Sequence, residues 1–244
     1  VLSAPAWRAI TALSLSAAVG AGERAGACRN GSGPGRPQRP GSVSCSAVLL
    51  YNNSWSGNCY KVRLLLAQLG IEYDRREMDA FDRSDRREVL GDLNPALRVP
   101  TLVLDDGRAL AESGAIIFHF AEGTEYLPTD AFERAQVLQW LFFEQYNLEP
   151  NIAVVRFWTL AGIHPPEDEL EAKRKAGQFA LDALERALSQ RDFLVANRYT
   201  IADIALFGYT HVAPEGGFEL EPYPSVRSWL TRVAAQPGHI AITD

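Results

Sequence analysis

From Ala47 onward the apolar and polar positions fall into regular patterns that name their elements. Ala47–Tyr51 (AVLLY) is a short apolar run, the signature of a buried parallel strand. Asn52–Gly57 is polar and reads as a loop. In Asn58–Gly70 the apolar residues Val62, Leu65, Leu66 and Leu69 recur at helical spacing, and Gly70 supplies a C-terminal stop. Ile71–Met78 is predicted as a second strand and Ser84–Gly91 as a short helix. Thr101–Leu104 and Arg108–Ala111 flank Asp105-Asp106-Gly107, a hairpin signature, and Glu112–Glu122 follows as a helix. The order β-α-β-α-β-β-α predicts a mixed sheet covered by helices.

Gly123–Asp130 reads as a linker. Beyond it the spacing is helical throughout: Ala131–Leu160, Glu167–Gln190, Ile201–Val212 and Ser225–Ala235. The fold class is therefore α/β followed by all-α. The α/β unit spans residues 47–122, the linker 123–130 and the helical domain 131–244.

Residues 1–46 differ in kind. They carry Arg8, Arg24, Arg29, Arg36 and Arg39 against the single acid Glu23, and Gly31–Gly41 reads GSGPGRPQRPG. Such a stretch cannot bury enough apolar surface to order, so a disordered extension is predicted. Ala9–Ala27, with Arg8 before it and Ala25-Gly-Ala27 at its end, has a faint likeness to a secretory signal peptide. The chain begins with Val and its only Met is Met78; the reading adopted is an extension upstream of the true start. Gly20-Ala-Gly22-Glu-Arg-Ala25 matches a dinucleotide fingerprint but runs into the Gly/Pro-rich stretch rather than a helix, and is set aside.

Composition excludes several classes. The net charge of -6 and the absence of a basic stripe argue against nucleic acid as a partner. No run approaches the roughly 20 apolar residues of a membrane span. Cys28, Cys45 and Cys59 fit neither a disulfide framework nor a zinc site, and the histidines are scattered, so no metal is expected.

Three segments carry candidate chemistry: Ser56-Gly-Asn-Cys-Tyr-Lys-Val-Arg63 after the first strand, Asn94-Pro-Ala-Leu-Arg-Val-Pro100 before the third, and Glu112-Ser113 at a helix start. In that order and spacing the chain from Ala47 onward resembles the cytosolic glutathione S-transferase family, of the bacterial, serine-type or nu-like kind. The resemblance implies a thioredoxin-like N-terminal domain and a helical-bundle C-terminal domain, with glutathione as co-substrate. It implies that Ser56, aligned on Lys61-Val62-Arg63, and Asn58 face the glutathione sulfur. A hydroxyl, an amide and the positive end of a helix all favour a thiolate, and no general base is needed. Ser54 is the competing hydroxyl, and Ser56 is equally suited to cap the helix.

The resemblance further implies a cis bond at Pro100, with Arg98 and Val99 at the tripeptide and the Val99 backbone pairing with it. Glu112 and Ser113 would hold the γ-glutamyl group, helped by the free N–H groups of the helix. It also implies a cytoplasmic homodimer. Tyr199–Ala205 contains Thr200 and Asp203 at capping-box spacing, read as structural.

A transferase also needs an apolar pocket for a small-molecule electrophile. Phe142, Phe143, Tyr146, Phe157 and Trp158 are candidates, one or two of them at the pocket, and Arg156 is a lesser candidate for an anionic substrate. Three readings follow. The first is glutathione transfer to an apolar electrophile. The second is glutathione-dependent disulfide or peroxide reduction, favoured by Asn58 and disfavoured by Ser rather than Cys at position 56. The third is a non-catalytic binding or regulatory protein on the same fold. No G-x-S-x-G elbow supports a hydrolase.

Overall fold

In the computed structural model, which describes residues 48–244, strand β1 (Leu49–Asn52) sends neighbouring side chains into different cores. Successive residues of a strand face opposite sides of the sheet. Leu50 joins Leu102, Ile116 and the leucines of α1 (Gly57–Gln68), whereas Tyr51 joins Met78 and Leu90. Burial on both faces is what the apolar run predicted. The extension, its glycine pattern, Cys28 and Cys45 lie outside the described residues.

β1 pairs in parallel with β2 (Asp74–Glu77) and antiparallel with β3 (Thr101–Val103), and β4 (Ala109–Ala111) completes the order β2-β1-β3-β4. The expected second strand shortens to Asp-Arg-Arg-Glu, exposed throughout, a charged edge of the kind that resists pairing with another chain. With α2 (Arg86–Leu90) and α3 (Ser113–Ala121) the observed order is β-α-β-α-β-β-α, a thioredoxin-like domain.

The rest is helical: α4 (Ala131–Phe143), α5 (Val154–Ala161), α6 (Glu167–Leu188), α7 (Ile201–Thr210) and α8 (Pro224–Ala234), with a 3-10 turn at Ala213–Gly216. Asp130 caps α4, accepting from the Phe132 and Glu133 N–H groups. The expected helical span Ala131–Leu160 is present, with its middle, Glu144–Ala153, wound as a π-helix. Pro150 lies inside it, and a proline has no N–H and crowds the carbonyl four residues back. A wider turn relieves that clash. The Asn147 and Asn151 amides donate to the carbonyls of Phe143 and Asn147.

α7 starts with the predicted capping box between Thr200 and Asp203. Asp203 is wholly buried and also accepts from the Leu194 N–H (3.1 Å) and the Trp229 indole (2.9 Å), so it ties the loop before α7 to α8. No helix among the described residues is long and apolar enough to cross a membrane.

α1 is buried over Cys59–Leu66 because it packs against α3 and α7, with Leu50 and Leu102 of the sheet in the same core. It crosses α7 at Gly57 and Gly208. A Cβ on Gly57 would sit 2.5 Å from the Gly208 carbonyl oxygen, and one on Gly208 would sit 2.8 Å from Lys61 Cε. α1 buries two cations, Lys61 at the crossing and Arg63 toward β1 and the C-terminal segment. Arg63 is matched by Asn52 Oδ1 (2.7 Å) and by the carbonyls of Ser54 and Ile242.

Candidate functional site

Two helix N-termini converge beside the sheet. Ser56 is the N-cap of α1, its Oγ accepting from the Cys59 N–H at 3.3 Å. Ser54 is turned away: its N–H and hydroxyl both donate to the Glu77 carboxylate at 3.1 Å. Asn58, on the first turn of α1, reaches the first residue of α3, and the Ser113 hydroxyl donates to Asn58 Oδ1 at 3.2 Å. Asn58 and Ser113, 55 residues apart in sequence, are thus in direct contact.

Glu112, just before α3, is exposed and has φ +67°, a left-handed value that non-glycine residues seldom hold and that costs about 1–3 kcal/mol. It turns the chain from β4 into α3. The Val99–Pro100 bond is cis. Arg98 is exposed, Val99 half-buried and Pro100 buried. Asn94 Nδ2 donates to the Arg98 carbonyl and to Thr101 Oγ1, each at 3.0 Å, and the Thr101 hydroxyl donates to the same carbonyl at 2.8 Å. These bonds fix the Arg98–Thr101 turn.

Residues that sequence reasoning did not select surround Asn58. Lys61 donates to Asn58 Oδ1 at 2.7 Å and pairs with Glu144 at 2.7 Å. Gln145 donates to Glu144 at 2.8 Å and approaches Asn58 Oδ1 at 3.5 Å. Asn58 Nδ2 donates to Glu149 Oε1 at 3.3 Å. Burial, and then the neighbouring Glu144 carboxylate, push the Glu149 carboxyl above the ordinary range, while Lys61, the Asn58 bond and Arg98 oppose the shift. From α7 the buried Tyr209 hydroxyl meets the Ser56 side chain and the Asn58 backbone, and burial pushes its phenol upward. The one local signal for these residues was Lys61 itself, one of two charges, with Arg63, in a helix whose centre is apolar.

Cys59 is the only cysteine among the described residues. It is wholly buried, its sulfur accepts from the Asn53 N–H at 3.3 Å, and burial pushes its thiol up to about 11. At neutral pH it is a thiol, not a nucleophile.

The aromatic candidates divide. Phe157 stacks on Phe81 with centroids 5.6 Å apart. Its neighbour Arg156 donates to the Trp55 carbonyl at 2.8 Å and to Glu215 at 2.7 Å, so Arg156 anchors the loop before α1 instead of waiting for a substrate. Exposed Trp55 and the Phe81–Phe157 pair therefore belong to the Ser56 side of the molecule. Phe143 packs edge-on against Trp140, and Trp158 lies under the Lys173 ammonium. Phe142 and Tyr146 are exposed on the outer surface, 70% and 83% respectively.

A thioredoxin-like domain joined to an all-helical one, with a polar cluster where α1 and α3 meet, defines a glutathione transferase architecture. The family model of the glutathione S-transferase N-terminal domain matches residues 55–122, and that of the C-terminal domain matches residues 137–237. Glutathione S-transferase 2 of Anopheles gambiae is 32% identical over 189 residues, covering 75% of this chain and 88% of its own. The disulfide-bond oxidoreductase YfcG of Escherichia coli K12 is 27% identical, covering 74% and 87%. A crystal structure of a glutathione S-transferase from Pseudomonas fluorescens superposes with a TM-score of 0.77 at 44% identity, over 82% of this chain and 100% of that one. The chain belongs to the glutathione S-transferase family.

Proposed function

We propose that the protein is a glutathione transferase that joins the glutathione thiolate to an apolar electrophile. The observation that carries the reading is the meeting of Asn58 and Ser113 at the first turns of α1 and α3. One helix terminus suits the sulfur and the other the γ-glutamyl carboxylate. Ser56 and Asn58 serve the sulfur. Arg98, Val99 and Pro100 take the tripeptide backbone, and Val99's N–H and carbonyl have no backbone partner among the described residues. Glu112 and Ser113 take the γ-glutamyl end. In domain terms, residues 47–122 bind glutathione, 123–130 link, and 131–244 help shape the electrophile side, where Phe157 stacks on Phe81 and Arg156 holds the Trp55 carbonyl.

The chemistry is modest in its demands. A free thiol has a pKa near 8.5, so only about 3% is thiolate at pH 7. A hydrogen bond to the anion contributes roughly 1.5–3 kcal/mol, about one to two pKa units, which raises the thiolate to a quarter or more. The thiol proton leaves to solvent. The sulfur lone pair then forms the carbon–sulfur bond, and the leaving group departs with its bonding pair.

A second reading, reduction of a disulfide by two glutathiones, is supported by the likeness to an oxidoreductase. It requires no enzyme thiol, in keeping with the inert Cys59. The test is retention on immobilised glutathione, followed by parallel assays of aryl-halide conjugation and disulfide reduction. Retention with conjugation supports transfer, retention with reduction alone supports the second reading, and no retention defeats both.

By the same resemblance the protein works as a cytoplasmic homodimer. The exposed stripe Leu138, Phe142 and Tyr146, four residues apart along α4 and the π-helical stretch, is the face such a partner would cover. Light scattering that returned one chain's mass at micromolar concentration would reject the dimer.

A further inference from the structure

We infer that Lys61 is a positioning residue: its buried ammonium fixes the Asn58 side-chain amide with the oxygen turned toward Lys61 and the NH2 toward Glu149. The orientation follows from which groups donate and which accept. An ammonium only donates and a carboxylate only accepts, whereas an amide has one end of each kind. Asn58 Oδ1 faces Lys61 at 2.7 Å, the Ser113 hydroxyl at 3.2 Å and the Gln145 amide at 3.5 Å, while Nδ2 faces Glu149 at 3.3 Å. A flipped amide would set its NH2 against an ammonium and its oxygen against a carboxylate oxygen. Of the two Nδ2 protons one goes to Glu149, and the other has no partner among the described contacts. That second N–H is the donor available to a thiolate. Only this last step rests on the proposed glutathione reading; the amide orientation belongs to the ligand-free protein.

Lys61 itself is held on every side. Glu144 takes its charge, the Tyr209 ring lies 5.5 Å away, and Gly208 leaves room for the side chain to pass. A buried ion pair is a poor source of stability, because desolvation offsets the attraction. What an apolar pair could not reproduce is the hydrogen bond to Asn58. The π-helical stretch makes the arrangement possible. Residues five apart in an α-helix point about 140° from one another. The i→i+5 turn brings Glu144 and Glu149 to one side, where both reach the Asn58–Lys61 pair. The charged and titratable groups around Asn58 are thus Lys61 of α1, Glu144 and Glu149 of the π-helical stretch, Arg98 before β3 and Tyr209 of α7.

The test compares wild type with E144Q, K61M/E144Q and Q145A by nitrogen-15 NMR of the ligand-free full chain. The Asn58 NH2 signals are identified by their loss in N58D. The same proteins are then titrated with glutathione, and the thiolate absorbance gives the pKa of the bound thiol. E144Q keeps the Lys61 donor, so the Asn58 signals should stay in place. K61M/E144Q removes the shortest donor to Asn58 Oδ1 without stranding the Glu144 carboxylate; the signals should shift from their wild-type positions, and thiolate at fixed pH should fall about tenfold. Should the double variant not fold, Q145A decides. It deletes the distant donor and one bond to Glu144 while keeping the Lys61 donor, and should leave the signals unmoved, so a large shift there, with E144Q unmoved, would overturn the assignment to Lys61. A folded K61M/E144Q with wild-type signals and thiol pKa would overturn it as well. If wild type does not bind glutathione, the functional reading fails, and the amide signals alone decide the role of Lys61.

Discussion

Gly57→Ala tests how closely the site depends on the crossing of α1 and α7. The added Cβ would lie 2.5 Å from the Gly208 carbonyl oxygen and 2.7 Å from Tyr209 Cε1. Ordinary contacts between such atoms are about 3.5 Å, so the helices must part by about 1 Å. The obstacle is backbone and a fully buried ring, neither of which yields by a rotamer change. Overpacking of this kind costs about 1–3 kcal/mol. At about 2–4 °C per kcal/mol for a domain of this size, the melting temperature should fall by about 2–12 °C. Parting also carries Ser56 and Asn58 away from Tyr209, and a 1 Å misplacement can cost up to about 100-fold in rate. Thermal unfolding followed by circular dichroism, with conjugation kinetics on the same protein, measures both. Gly114→Ala is the control, because its Cβ would meet nothing nearer than Leu141 Cβ at 4.0 Å. Within a helix it should be neutral or stabilising by up to about 1 kcal/mol. If Gly57→Ala melts within about 1 °C of wild type and retains its kcat, the crossing is not tight and the coupling of packing to site is wrong.

Ser56→Ala should lower conjugation about tenfold through loss of the sulfur's donor and destabilise α1 by about 1 kcal/mol through loss of its cap, whereas Ser54→Ala should leave the rate intact. Steady-state kinetics on the two variants decide, and the reverse pattern would move the sulfur site to Ser54. Asp203→Ala strands the Trp229 indole and the Leu194 N–H, each at about 1–3 kcal/mol, so denaturant unfolding should show a loss of about 2–6 kcal/mol. Burial holds His211, stacked on Phe207, down at about 4 from an ordinary 6.5. Between these values the unfolded chain binds a proton that the folded one refuses, so stability is lost as pH falls from 6.5 toward 4, by about 3 kcal/mol at most. His211→Phe should flatten that part of the stability–pH profile, and an unchanged slope would place the titration elsewhere.

Much of the fold was legible because its signals are local. The apolar run of β1, the Asp105-Asp106-Gly107 turn, the Ser56 cap and the Thr200–Asp203 box each lie within a few residues, and each formed where the spacing placed it. The helical span Ala131–Leu160 formed as well, and what differs is the winding of its middle, where Pro150 lay in plain view. Periodicity there favoured a continuous helix, and only the packed structure shows the π-helical turn that accommodates the proline.

The sequence by itself determined the elements and their order, because local hydrogen bonding and periodicity carry that information, and its resemblance to the family nominated Ser56, Asn58, Arg98, Val99, Pro100, Glu112 and Ser113. Only the tertiary structure decided which of them touch and what surrounds them. Asn58 meets Ser113 across 55 residues of chain and Glu149 across 91. Lys61 is buried because two glycines let α1 and α7 approach and because Glu144 arrives from the π-helical stretch to take its charge. Whether a lysine in a helix meets solvent or a carboxylate depends on the angle and distance at which distant helices cross, and no short window of sequence encodes that.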